Sequence, residues 1–172
     1  MGDRELAKID PRFQEVIRES NSEIPVRLGE LARRLGVHQI KISNLDLGKS
    51  GRIKKEGQEY VITVNRNEAR ERQRFTIAHE LAHFLLHRDI IDRSAEGITD
   101  NVLYRSGASE WVEFEANRLA AELIMPTDQV KKILDSEYQG IVTEAVIENL
   151  ASRFCVSKTA MELKLNRVSK VK

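Results

Sequence analysis

Residues Arg74–Arg88, RFTIAHELAHFLLHR, constrain this chain more than any other stretch, because they hold three of its four histidines within a strongly apolar segment. On a helix at ~100° per residue, Phe75, Ala78, Ala82, Leu85 and Leu86 cover one side, and Ile77, Leu81 and Phe84 another. Only a narrow stripe is polar: Thr76, His79, Glu80, His83 and His87. A helix that is apolar nearly all round is buried, and buried ionisable groups carry a large desolvation penalty unless they have partners. The histidines are therefore either polar atoms satisfied inside a core or ligands of a metal, and the stripe favours the metal.

His79 and His83 stand four apart, which places their rings on one helix face within reach of a single ion. Glu80 sits beside them. H-E-x-x-H on a helix is the zinc peptidase arrangement, in which two imidazoles bind the metal and the glutamate serves as general base. His87 lies about 12 Å from His79 along the axis at ~1.5 Å per residue, too far to share an ion whose bonds are near ~2 Å. It reads as a supporting or helix-terminal residue.

A catalytic zinc takes three protein ligands and keeps one position open. Asp89 falls where one extended form of the motif places its last ligand, but Leu86 stands where that form needs a glycine to turn the chain. The second helical segment, SEWVEFEANRLAAELIMP, offers glutamates instead. Glu110, Glu113 and Asn117 share an arc that reads as the wetter side. Glu115 lies among Trp111, Val112 and Leu119, where a carboxylate needs a partner. Periodicity thus favours Glu115 modestly, with Glu122 on the same stripe in reserve.

Elsewhere helix is expected at about Pro11–Ser20 and across PVRLGELARRLG, where Leu28, Leu31, Ala32 and Leu35 recur at helical spacing and Gly36 suits a C-terminal cap. Alternation and β-branched residues between Val37 and Val64 predict a small sheet of about three strands. Asn65 or Asn67 is the expected cap of the histidine helix. A long connection from about Asp89 to Ser109 is expected to be functional or to add a strand. Three short helices close the chain, with Thr127 and Ser157 capping the first and last. The class is α+β, mostly helical, with the small sheet set between the N-terminal helices and the H-E-x-x-H helix. One domain over 1–172 is expected: an N-terminal extension and helix (1–24), a catalytic core (25–126) and C-terminal helices (127–172).

A net charge of +1 exerts no global pull toward nucleic acid or membrane. The single cysteine, Cys155, excludes an internal disulfide and suits a reducing compartment. With no apolar run of membrane-spanning length and no hydrophobic signal core, the expected location is the cytoplasm.

RQRFTIAHELAHFLLH followed by EFEANRLAAELIMP closely resembles the ImmA/IrrE metallopeptidase family, and YVITVN and LASRFCVSKTAMELKL fit the same pattern. The resemblance runs from about Pro25 to Leu165. It implies one zinc ion per chain held by His79, His83 and Glu115, with Glu80 as catalytic base. Leu119 stands where the family commonly has Phe. Members are bacterial or mobile-element proteins that typically cleave a helix-turn-helix repressor and so release repressed genes, which makes such a repressor the expected protein partner. Some carry a C-terminal sensor domain. The chain ends too soon for one, so regulation is expected from elsewhere.

The competing class is a DNA-binding or regulatory protein. VRLGELARRLGVHQIKIS and VIENLASRFCVSKTAMELKL both have helix-turn-helix rhythm. The first carries Arg33, Arg34 and Lys41, and the second Arg153, Lys158 and Lys164, cations that could meet phosphates. Packed helices with solvated cations are the simpler reading. For a peptide substrate, the EYVITVN strand is the expected docking edge, and Tyr104 or Arg105 the expected oxyanion donor.

Overall fold

Leu28, Leu31, Ala32 and Leu35 are all buried along one face of a helix, as their spacing predicts. In the computed structural model, which describes residues 3–99 and 109–169, this helix is α3 (Leu28–Leu35). It follows α1 (Asp3–Leu6) and α2 (Pro11–Ser20). Gly36 closes α3 at φ 102°, donating its N–H to the Ala32 and Arg33 carbonyls. A side chain there would be strained, and glycine is the residue that adopts this turn freely.

The chain then enters strand β1 (Val37–Ser43) directly. The first segment with helix-turn-helix rhythm is therefore helix followed by strand, and that expectation is corrected. β1 runs parallel to β3 (Glu59–Asn65), which pairs on its other side with the antiparallel β2 (Gly51–Glu56). A two-residue strand, β4 (Ile98–Thr99), completes the order β1-β3-β2-β4. Val61–Asn65 are buried without alternation, as expected of a strand covered on both faces. Because β3 is central, it has no free edge, so the expectation that EYVITVN docks a peptide fails.

Helix α4 (Arg70–Leu86) lies on β2 and β3 and packs most extensively against α6 (Ser109–Ile124). Every residue from Ala78 to Phe84 is buried, and sealing side chains such as Leu81 and Phe84 from water stabilises by roughly 1.5–3 kcal/mol each. Phe84 meets Tyr60 edge-on at 4.9 Å between ring centres, and the Arg88 guanidinium lies 4.0 Å above Phe84. Neither Asn65 nor Asn67 caps α4, whose N-cap is Ala69. Asn65 is spent on its own turn, accepting the Asn67 N–H and donating to the Lys49 carbonyl. Gln73 gathers the entry loop instead, donating to the carbonyls of Asn65, Arg66 and Glu68 at 3.1 Å each.

The long connection holds a short helix, α5 (Arg88–Arg93), and β4, which pairs with β2 as the extra-strand expectation required. Tyr104 and Arg105 lie outside the described residues. After α6 come α7 (Thr127–Tyr138), α8 (Glu144–Phe154) and α9 (Lys158–Ser169). Ser157 accepts the Ala160 N–H at 3.2 Å, the expected cap. Thr127 does not cap α7: its own N–H and hydroxyl both donate to Glu122, at 2.8 and 2.7 Å. No helix of the described residues is long and apolar enough to cross a membrane.

Candidate metal centre

The polar stripe of α4 is buried, as its apolar surroundings require: His79 and His87 are nearly covered, and Glu80 and His83 wholly so. Nε2 of His79 and Nε2 of His83 lie 3.0 Å apart. From α6, Glu113 brings Oε2 to 3.1 Å from His79 Nε2 and Oε1 to 3.2 Å from His83 Nε2. The outer ring nitrogens point elsewhere. His79 Nδ1 lies 3.1 Å from Asn117 Oδ1, and His83 Nδ1 lies 3.1 Å from His87 Nδ1.

These contacts decide the charges. Burial pushes His83 down to about 4, outweighing the Glu113 carboxylate that favours its proton, so the ring is neutral near pH 7. Burial would raise Glu113, but in the metal-free protein N–H donors of the His79 and His83 rings outweigh it and hold the carboxyl at about 2; a bound cation would take the place of those protons. The Asn117 oxygen can only accept, so His79 carries its proton on Nδ1 and turns the lone pair of Nε2 inward. Two ring nitrogens and an ionised carboxylate thus aim electron pairs at one point, and their ligand atoms all lie within 4.8 Å of one another. A divalent cation neutralises such a convergence. Two imidazoles and one carboxylate are a donor set that suits zinc and leaves a coordination position open.

Glu115, expected as third ligand, stands outside this cluster. One of its oxygens pairs with Lys8 and the other lies 3.4 Å from His87 Nε2. Residues two apart on a helix point to different sides, so Glu113 and Glu115 cannot both reach the histidine pair, and Glu113 does. Glu122, the reserve, is engaged by Lys164 at 2.7 Å and by Thr127. Asp89 is exposed near the start of α5 and is not part of the cluster.

Glu80 is fully buried on α4, under the start of β2. A Cβ placed on Gly51 would lie 2.4 Å from Thr76 Cγ2, 3.0 Å from the Thr63 carbonyl oxygen and 3.4 Å from Glu80 Oε1. Only glycine lets the strand come this close to the helix. Gly51, Asn117 and Lys8 were all missed as contributors. For Asn117 a signal existed, since it stands four residues after Glu113 and shares its helix face.

The cations that suggested nucleic acid are mostly committed to carboxylates. Arg34 pairs with Glu19, Lys41 with Glu56, Arg153 with Glu137, Lys158 with Glu144 and Glu148, and Lys164 with Glu122. Lys164 is buried. The α8–α9 pair does form two helices joined by a short turn at Cys155. Of its basic residues Lys164 is buried in the fold, whereas Arg153 and Lys158 make their pairs at the surface.

The IrrE N-terminal-like domain, a peptidase family, matches residues 32–166. No curated protein matches significantly. Among solved structures, a Mycobacterium tuberculosis transcriptional regulator is similar, with a TM-score of 0.57 and 18% identity over 92% of this chain and 47% of that one. The chain thus spans about half the length of that protein, and at this identity the likeness is one of fold.

Proposed function

Since the chain belongs to the IrrE N-terminal-like peptidase family, we propose that it is a zinc-dependent endopeptidase that cleaves a protein partner, with helix-turn-helix transcriptional repressors as the substrate class. The observation that carries this reading is the convergence of His79, His83 and Glu113 on one point beside the buried Glu80. His79 Nε2, His83 Nε2 and Glu113 would hold the ion. Zinc bound there supplies a Lewis acid that polarises a peptide carbonyl and makes water a nucleophile near neutral pH.

The protein's own residues do the rest. Asn117 fixes the outer nitrogen of His79, so the inner lone pair of that ring stays aimed at the centre. Glu80, the carboxylate next to His79, accepts the proton released as water attacks the carbonyl carbon and returns it to the leaving amide nitrogen. Burial keeps solvent from competing for that proton. A role in gene control accords with the likeness in fold to the Mycobacterium tuberculosis transcriptional regulator.

The test pairs metal content with cleavage. Elemental analysis after dialysis should find about one zinc per chain in the wild type and none in His83→Ala. Incubated with candidate helix-turn-helix repressors, the zinc-loaded wild type should cut one at a defined bond. Glu80→Gln should keep its zinc and lose cleavage by a factor of roughly 10²–10⁴. Full turnover in that variant would remove Glu80 from the chemistry.

A further inference from the structure

His87 and Glu115 belong to neither the ligand set nor the acid–base step, yet both are buried beside the centre. Their atoms form one line. His83 Nδ1 lies 3.1 Å from His87 Nδ1, His87 Nε2 lies 3.4 Å from Glu115 Oε2, and Glu115 Oε1 takes the Lys8 ammonium. We propose that His87 and Glu115 are positioning residues that set the tautomer and ring orientation of His83, with Lys8 anchoring the far end of the line. The inference rests on the reading of His83 as a metal ligand.

The proton count along the line has one solution. Glu115 is paired through Oε1 with the Lys8 ammonium, so it faces His87 as a carboxylate. It can only accept, so His87 must carry its proton on Nε2. His87 Nδ1 is then bare and can only accept, so His83 must carry its proton on Nδ1. That leaves His83 Nε2 bare, facing His79 Nε2 and Glu113. A carboxylate on α6 thereby dictates which nitrogen of a ring on α4 offers its lone pair, with a second imidazole as the relay. Hydrogen-bonded partners behind a ligating histidine commonly raise metal affinity by about ten- to a hundredfold. Here the partner is a histidine, so Glu115 is needed to make that histidine an acceptor.

A residue that merely fills space at the end of α4 predicts different behaviour. Zinc affinity, measured by chelator competition, should fall about ten- to a hundredfold in His87→Leu, which leaves the His83 N–H without an acceptor. His87→Gln keeps a carbonyl acceptor and should recover most of that loss. Glu115→Ala should weaken zinc by about tenfold without abolishing it. Circular dichroism and thermal midpoints of the metal-free variants check that each folds. Independently of any variant, long-range ¹H–¹⁵N spectra of the zinc-loaded wild type should show His83 protonated on Nδ1 and His87 on Nε2. In Glu115→Ala the His87 signals should shift toward a mixture of tautomers. Wild-type zinc binding with His87 protonated on Nδ1, or unaltered affinity in His87→Leu, would overturn this inference and leave the metal centre standing. Failure of the wild type to bind zinc at all would instead remove the reading beneath it.

Discussion

Asn117 Oδ1 meets Nδ1 of His79 at 3.1 Å, and one turn back on the same helix Glu113 Oε2 meets Nε2 of that ring at 3.1 Å. Two side chains four residues apart on α6 therefore hold one imidazole of α4 at both ends. The spacing is the one that places side chains on a common helix face.

Glu113→Ala should cost far more metal affinity than Glu115→Ala. Removing Glu113 takes away a donor and leaves two ligands, so zinc should be lost on dialysis, whereas Glu115→Ala should retain it at reduced affinity. Elemental analysis of the two variants side by side checks this, and the reverse ranking would return the third ligand to Glu115.

Acidification should destabilise the metal-free protein. His83 sits at about 4 against an ordinary 6.5, so between those values the unfolded chain binds a proton that folded His83 refuses, and stability falls as pH drops through that window. Glu113, held at about 2 against 4.5, contributes stability that is present above pH 4.5 and lost as pH falls toward 2. The two windows join, so the urea midpoint should decline steadily from pH 6.5 downward. A midpoint that rises between pH 6.5 and 4 would contradict the His83 assignment, and one that rises between 4.5 and 2 the Glu113 assignment.

Gly51→Ala should destabilise by about 1–3 kcal/mol, the usual cost of overpacking, because the new methyl falls 2.4 Å from Thr76 Cγ2. Adding Thr76→Ser removes that carbon and should restore part of the loss. The Thr63 carbonyl, 3.0 Å away, prevents full recovery. Thermal melts of the single and double variants decide it, and an unaltered single variant would show that β2 can move away from α4.

Lys164→Met should cost about 1–3 kcal/mol, because it leaves the partly buried Glu122 carboxylate with its Thr127 donors but no cation. Chemical denaturation measures the loss. A variant that folds with wild-type stability would mean Lys164 is free for another role, and would revive phosphate contact by α9.

The histidine helix was legible because burial and chemistry leave opposite marks: apolar residues on nearly every side, titratable ones on a single stripe. The carboxylate that joins the histidine pair is hidden in the sequence for a physical reason. Glu113 and Asn117 face a polar centre, and polar residues turned toward a metal site have the same sequence pattern as polar residues turned toward water. Glu115 was correctly expected to be buried with a partner, but its partners are Lys8 and His87, far away in the chain, and no local pattern announces them. Strand existence was readable in YVITV, whereas strand order was not. The central place of β3 follows from its parallel pairing with β1, a non-local event. The lost caps at Asn65 and Thr127 have one cause, since each side chain was claimed by a distant or unanticipated partner, the Lys49 carbonyl and Glu122.

The cluster draws His79 and His83 from α4 and Glu113 from α6, so a cation seated there is a removable cross-link between two segments with α5 and β4 strung between them. Like any ligand that binds only the folded chain, it couples folding to its own concentration. Each tenfold rise in free zinc beyond the dissociation constant adds about 1.4 kcal/mol to stability. Held by those three side chains, a metal would make its own supply a control on how long the protein persists in its folded form.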